Sequence, residues 1–269
     1  MLQILKSYLN FLYHSKNEHG VHSPFVFNLV TKCFYDKKQY PEYAILKNYR
    51  KSLLQNKNTI EVTDFGAGSR VFKSNKRAVN QIAKTAGIAT KRAELLFRIT
   101  KYFQPENILE IGTSLGLATS ALALGTRAEG KLSEANTKAK ITTLEGCENT
   151  LAVAQKQFEI FELNNICSVA TEFNTYLKDL QPTTYNLQLI YFDGNHSKTA
   201  TLNYFERLLP TITNETVWIF DDIHWSKDME AAWEIIKNHP KVTVTIDTFQ
   251  WGMVFFRAEQ EKEHFVIRV

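Results

Sequence analysis

A chain of 269 residues with 44% hydrophobic and 22% charged residues has enough apolar content for one large domain with an appended region, and this composition argues against disorder. The formal net charge of +4 is too small to imply a polyanionic partner by itself. Three cysteines, Cys33, Cys147 and Cys167, without C-x-x-C spacing, argue against a disulfide framework or zinc ribbon and for a reducing compartment.

The first hundred residues read as a helical N-terminal region, residues 1–100, ahead of a sheet domain, residues 101–269. Lys6, Asn10, His14 and Lys16 interrupt the first twenty positions, which therefore lack the continuous apolar segment of a signal peptide, and no later run approaches the roughly twenty apolar residues that span a bilayer. A cytoplasmic protein without a membrane partner is expected. Ser23-Pro24 before Val26, Leu29, Val30, Cys33 and Phe34 predicts an N-cap, a proline in the first turn and an amphipathic helix. Phe11, Tyr13, Phe25, Phe27, Phe34, Tyr35, Tyr40, Tyr43 and Tyr49 make this region aromatic-rich, which suits either a layer packed on the sheet domain or a lid shaping an acceptor pocket. His19 and His22 have a ligand-like spacing but no cysteine or acid partners nearby, and are read as local turn hydrogen bonding.

Thr59 to Phe65 predicts a strand, followed by Asp64-Phe65-Gly66-Ala67-Gly68-Ser69, a glycine loop with no acid-ending strand in the next thirty residues; it is read as a turn that could close over a site. Between residues 70 and 101 lie Arg70, Lys73, Lys76, Arg77, Lys84, Lys91, Arg92, Arg98 and Lys101 against the single acid Glu94. This segment reads as turn and helix. Its charge raises the alternative of a nucleic-acid-binding protein or an enzyme that modifies RNA, although a basic run is usually a solvated helix face.

Ile108 to Ile111 predicts a buried strand that runs into Gly112-Thr113-Ser114-Leu115-Gly116 and then a small-residue helix from Leu117 to Leu124, whose free N–H groups favour an anion. A dinucleotide fingerprint would need glycines where Ser114 and Leu117 stand. The same letters match the G-x-S-x-G elbow of an α/β serine hydrolase with Ser114 as nucleophile. That fold, however, places several strands before the elbow, and only Thr59 to Phe65 precedes it here. Further strands follow at Lys140 to Leu144, ending in Glu145-Gly146; Ile166 to Thr171, ending at Glu172; Leu187 to Phe192, ending at Asp193; and Val217 to Phe220, ending at Asp221-Asp222. In an open parallel sheet, ligands bind outside the carboxyl ends of the strands, so this recurrence gathers acids along one edge. The runs Val242 to Ile246 and Gly252 to Arg257 predict a terminal hairpin.

Glu110-x-Gly112-x-x-x-Gly116, Glu145, Thr171-Glu172, Asp193-Gly194-Asn195-His196 and Asp221-Asp222, taken in order, resemble the class I S-adenosylmethionine-dependent methyltransferases. The likeness is to the small-molecule O-methyltransferases related to catechol O-methyltransferase and to antibiotic-sugar methyltransferases, over roughly residues 100–257. It implies a Rossmann-like, doubly wound α/β fold, with a mostly parallel seven-stranded sheet and an antiparallel last strand. It also implies a cofactor site in which Glu110, Gly112, Thr113, Ser114 and Gly116 cradle the methionine part, Glu145 and Gly146 hold the ribose, Glu172 faces the adenine, and Asp193 adjoins them. The acceptor would be a small molecule. The metal-dependent relatives hold magnesium on acids after the fourth and fifth strands, which places a metal on Asp193, Asp221 and Asp222. In the metal-free alternative His196 or His224 acts as the base beside Asp193, while Asp221 or Asp222 only caps the helix beginning near Ser226.

Overall fold

The computed structural model describes residues 2–64, 72, 74–127, 139–180 and 186–269. Its helices are α1 (Leu2–His14), α2 (Pro24–Leu29), α3 (Glu42–Gln55), α4 (Val79–Thr85), α5 (Thr90–Phe103), α6 (Leu117–Gly125), α7 (Glu148–Ile160), α8 (Phe173–Asp179), α9 (Lys198–Leu208) and α10 (Lys227–Asn238). Its strands are β1 (Thr59–Glu61), β2 (Lys76–Ala78), β3 (Asn107–Ile111), β4 (Lys140–Glu145), β5 (Ile166–Ala170), β6 (Leu189–Phe192), β7 (Val217–Asp221), β8 (Val244–Asp247), β9 (Trp251–Phe255) and β10 (Glu263–Val266). The fold is α/β with mostly parallel strands. None of its described helices is long and apolar enough to cross a membrane. The chain divides into two compact units, Asp36–Thr175 and the pair of segments Met1–Tyr35 and Tyr176–Val269.

In the Asp36–Thr175 unit, β4 lies between β3 and β5, and both pairings are parallel. Ile108, Leu109, Ile111, Ile141 and Leu144 are buried, as an apolar run covered on both faces requires. Every residue of α6 is buried, and its alanines and Gly125 allow close approach: a Cβ on Gly125 would lie 2.6 Å from Thr100 Cβ on α5. The strand expected over Thr59–Phe65 is reduced to β1, paired antiparallel with β2. β2 falls where turn and helix were expected, because three residues of Lys-Arg-Ala carry too little pattern to declare a strand. Phe65 and the Gly66–Gly68 turn lie outside the described residues, as do Arg70 and Lys73.

In the other unit, β9 is antiparallel to both β7 and β8, which bears out the terminal hairpin, and β6 pairs parallel with β7. The chain does not end on that antiparallel strand, as expected from the resemblance. It returns through β10, which runs parallel to β8 and buries Phe265. Of the N-terminal aromatics here, Phe11 and Phe34 are core, while Tyr13 and Phe27 are exposed; Phe11 packs on Phe249 at 5.5 Å between ring centroids, and the half-buried Phe25 on Phe255 at 5.0 Å. The Ser23 hydroxyl accepts from Val26 N, so the predicted cap and Pro24 start α2 as expected.

Gly252 of β9 lies under the indole of Trp233 from α10, where an added Cβ would sit 2.5 Å from the ring. Gly252→Ala should therefore force the indole or the strand to move and destabilise the protein by about 1–3 kcal/mol, measured as a lower urea midpoint at unchanged slope.

Candidate active site

The glycine turn is tied to the next strand by its own backbone. Gly112 N and Thr113 N both donate to the Leu144 carbonyl at 3.0 Å, and Ser114 N donates to Glu145 Oε2 at 2.8 Å. Gly112 and Gly116 take φ of 107° and 76°, which glycine adopts without strain, while Ser114 holds a left-handed φ of 48°. Glu145 Oε1 accepts from Cys147 N at 3.0 Å. Burial raises the Glu145 carboxyl, and the N–H groups of Cys147, Ser114 and Gly146 oppose that rise.

Glu110 is fully buried in the same unit. Its Oε2 accepts from Thr119 at 2.5 Å and Thr143 at 2.6 Å, and Thr143 also meets Thr113 at 2.5 Å. Its Oε1 is buried without a hydrogen-bond partner. Burial, against the two threonine hydroxyls and with the charge of Glu145 adding to it, pushes the Glu110 carboxyl up to about 8. Thr119 and Thr143 escaped the sequence reading because a threonine in a helix or strand carries no sign of the acid that it bonds. Glu172 is exposed, and both its oxygens are taken by Asn174 and Thr175 at the start of α8, which is the behaviour of a helix cap.

In the other unit the β6–β7 register sets Phe192 against Phe220, so Asp193 and Asp221 follow at adjacent strand ends. Asp193 Oδ1 lies 3.5 Å from His196 Nε2. Burial and then the charge of Asp221 push the Asp193 carboxyl well up. Burial works against a charge on His196, but its hydrogen bond to Asp193 and the charges of Asp193, Asp222 and Asp221 prevail and raise it to about 9. The Trp225 ring stands 5.9 Å from His196, a neighbour that the sequence did not suggest. Ser226 itself caps α10 through Met229 N, so the capping role weighed for Asp221 or Asp222 is not theirs. Asp221 instead accepts from Asp222 N at 2.9 Å, and Asp222 adopts φ 54°.

The geometry bears on two further expectations. Among the described residues no three His, Cys, Asp or Glu side chains are grouped to hold a metal ion, and nothing here supports magnesium on Asp193, Asp221 and Asp222. Asp193 is turned to His196 and Asp221 to a backbone amide instead. His224, weighed as a base, has both ring nitrogens engaged: Nδ1 lies 3.1 Å from Glu230 Oε1 and Nε2 2.8 Å from Asp247 Oδ2. Burial opposes its charge, but these two carboxylates outweigh burial and raise its pKa. The Phe249 ring stacks on it at 5.2 Å, and Glu230 also accepts from Gln3 and Ser7 of α1. His224 is a structural tie between α1, α10 and β8, on the wall of a 480 Å³ cavity shared with Lys6, His14 and Trp233.

Residues 109–223 match the family model described as a methyltransferase domain. Over that segment the chain is similar to methyltransferase domains. No curated protein sequence matches it. Among solved structures, the fold resembles an SAH-bound methyltransferase of Podospora anserina at 15% identity and TM-score 0.58, covering 88% of this chain and 97% of that one. It also resembles an O-methyltransferase of Bacillus cereus in complex with SAH, at 17% identity and TM-score 0.54 over 84% and 95% of the two chains. A third neighbour is the O-methyltransferase TomG of Streptomyces achromogenes in complex with SAM, at 12% identity and TM-score 0.56 over 85% and 95%. The hydrolase alternative at Ser114 finds no support here, and the sequence has no histidine between residues 36 and 175 to activate that serine from its own unit. The nucleic-acid alternative finds none either. Arg98 donates to the Tyr43 hydroxyl and Arg77 pairs with Asp64, which gives two cations of the basic segment partners within the fold.

The Glu110 carboxyl fixes a direction for stability against pH. With a folded value near 8 and an ordinary value of 4.5, its contribution is full below about pH 4.5 and is lost as pH rises through about 8, because over that window the unfolded chain ionises and the folded chain does not. Urea unfolding of wild type and Glu110→Gln at stepped pH should show the wild type losing ground to the variant across this window, by on the order of a few kcal/mol. A pH-independent difference would contradict the assignment.

Proposed function

We propose that the protein transfers the methyl group of S-adenosylmethionine to a hydroxyl of a small molecule. The observation that carries this reading is the Ser114 N to Glu145 Oε2 bond of 2.8 Å, which joins the glycine turn to the acid of the next parallel strand within the methyltransferase-matched segment. The residues present fit the cofactor. Glu110 Oε1, buried without a partner, is an acceptor for its ammonium group. Glu145 carries more acceptor capacity than Ser114, Cys147 and Gly146 use, and the rest suits ribose hydroxyls. Gly112, Thr113, Gly116 and Gly146 supply the close backbone, and Glu172 is assigned to its helix cap rather than to the adenine. The small-molecule acceptor follows the O-methyltransferase neighbours, and the three free cysteines suit a cytoplasmic location.

The bound cofactor supplies a sulfonium-activated methyl group, so the chain has to orient the acceptor, exclude water and take its hydroxyl proton. His196 is assigned that proton, with Asp193 holding its ring and balancing the charge that develops. At neutral pH the acids around His196 keep it protonated, so the competent form appears as that proton leaves. Residues 1–100, apart from α3, are assigned to acceptor selection.

Calorimetry with S-adenosylhomocysteine should show micromolar binding, weakened by about 1.5–3 kcal/mol in Glu145→Ala through lost hydrogen bonds to a charged group. Binding of NADH with none of S-adenosylhomocysteine would overturn the reading. With a small hydroxyl acceptor, His196→Ala should cut kcat about 100-fold or more while leaving S-adenosylhomocysteine affinity unchanged, and wild-type kcat/KM should climb with pH toward about 9. A variant with full turnover, or a rate that falls over that range, would remove His196 from the role.

A further inference from the structure

α3 belongs to the N-terminal stretch that the sequence suggested as an acceptor-side layer, yet its buried contacts lead to the glycine turn. Tyr49 is fully buried, and its hydroxyl donates to the Leu115 carbonyl at 2.9 Å, in the peptide that leads into Gly116. A Cβ added to Gly116 would lie 2.5 Å from that hydroxyl and 2.5 Å from Phe158 Cε1 on α7, so the tyrosine and the phenylalanine enclose the turn where its backbone reverses into α6. The Tyr49 ring packs on Phe161 at 5.1 Å, which fixes the direction from which the hydroxyl arrives. The rest of α3 is fastened on either side. Arg50 donates to the Ile88 carbonyl at 2.6 Å, and Ser52 donates to Gln157 of α7 at 2.5 Å.

We propose that Tyr49 is a positioning residue for the cofactor: its hydroxyl holds the Leu115–Gly116 peptide in the orientation that aims the first N–H groups of α6 at the bound methionine part. The inference rests on the S-adenosylmethionine reading above and extends it to a residue of a different element, about sixty positions earlier in the chain. A carbonyl held by a buried donor cannot rotate without leaving both groups unsatisfied, so the peptide plane, whose Gly116 N–H donates to the Thr113 carbonyl at 2.8 Å on its other edge, is set before any ligand arrives. Tyr49 touches no ligand itself. Its effect belongs in ground-state affinity for the cofactor and not in the transfer step.

The test compares Tyr49→Phe, which keeps the ring and deletes the donor, with Ser52→Ala, which deletes a side-chain hydrogen bond from the same helix away from the turn. Tyr49→Phe should raise the S-adenosylhomocysteine dissociation constant and the S-adenosylmethionine KM about tenfold, with kcat within twofold of wild type. Ser52→Ala should lower the melting temperature and leave both constants unchanged. An unchanged dissociation constant in Tyr49→Phe, or an equal rise in Ser52→Ala, would make Tyr49 a packing residue only and overturn the proposal. Wild-type protein that fails to bind S-adenosylhomocysteine would instead overturn the cofactor reading. Amide exchange on the wild type serves if Tyr49→Phe does not fold: with S-adenosylhomocysteine bound, protection should rise in the Glu42–Gln55 helix together with the glycine turn, and a rise in the turn alone would refute the coupling.

Discussion

One carbonyl oxygen organises the glycine turn of this protein. Leu144 O accepts from Gly112 N and Thr113 N together, so the chain leaving β3 is bent toward the end of β4 before its first free residue. Ser114 then has its N–H aimed at the Glu145 carboxylate, and its left-handed φ follows from that demand. Gly116 completes the reversal with the third positive φ of the turn, after Gly112 and Ser114, and releases the chain into α6. A bulky residue at Gly112 or Gly116 would fail here for conformational reasons before any question of ligand contact arose.

Buried acids perform different work in the two units. Glu110 and Glu145 are fixed by hydroxyls and amides, which replace the hydration that burial removes and leave defined acceptor positions. Asp193, Asp221 and Asp222 are concentrated instead, and their mutual repulsion is relieved by the charge on His196. Without that histidine the cluster would call for a cation from outside. With it, the chain supplies its own counter-charge, and one Asp193 oxygen that a metal would need is directed to the imidazole.

His224 shows how position along a strand misleads when environment is unknown. It stands two residues past the same acids that make His196 interesting, yet Glu230 and Asp247 occupy both its nitrogens and Phe249 lies over its ring. Phe249 holds φ 73°, unusual for a bulky side chain, and the Asp247 carboxylate that binds His224 also accepts its N–H at 2.7 Å. The imidazole thus secures a strained turn and the first helix, and has no free nitrogen for an acceptor's proton.

The order of acid-ending strands, the glycine turn and the terminal hairpin were legible in the sequence, because each rests on local rules: apolar runs of strand length, glycine where φ must be positive, and alternation in the last strands. β1 was expected too long, and β2 and β10 were missed, since segments of three or four residues owe their pairing to neighbours rather than to pattern. The site divided in the same way. Glu110, Gly112, Gly116, Glu145 and Asp193 could be named from their places at strand ends. Only the tertiary structure decided that Asp193 faces His196 while Asp221 accepts from a backbone amide, that His224 is occupied by two carboxylates, and that Tyr49 from a distant helix holds the glycine turn. Those outcomes depend on which donor faces which acceptor across long sequence separations, and burial gives such pairings their weight without leaving any period or spacing in the chain.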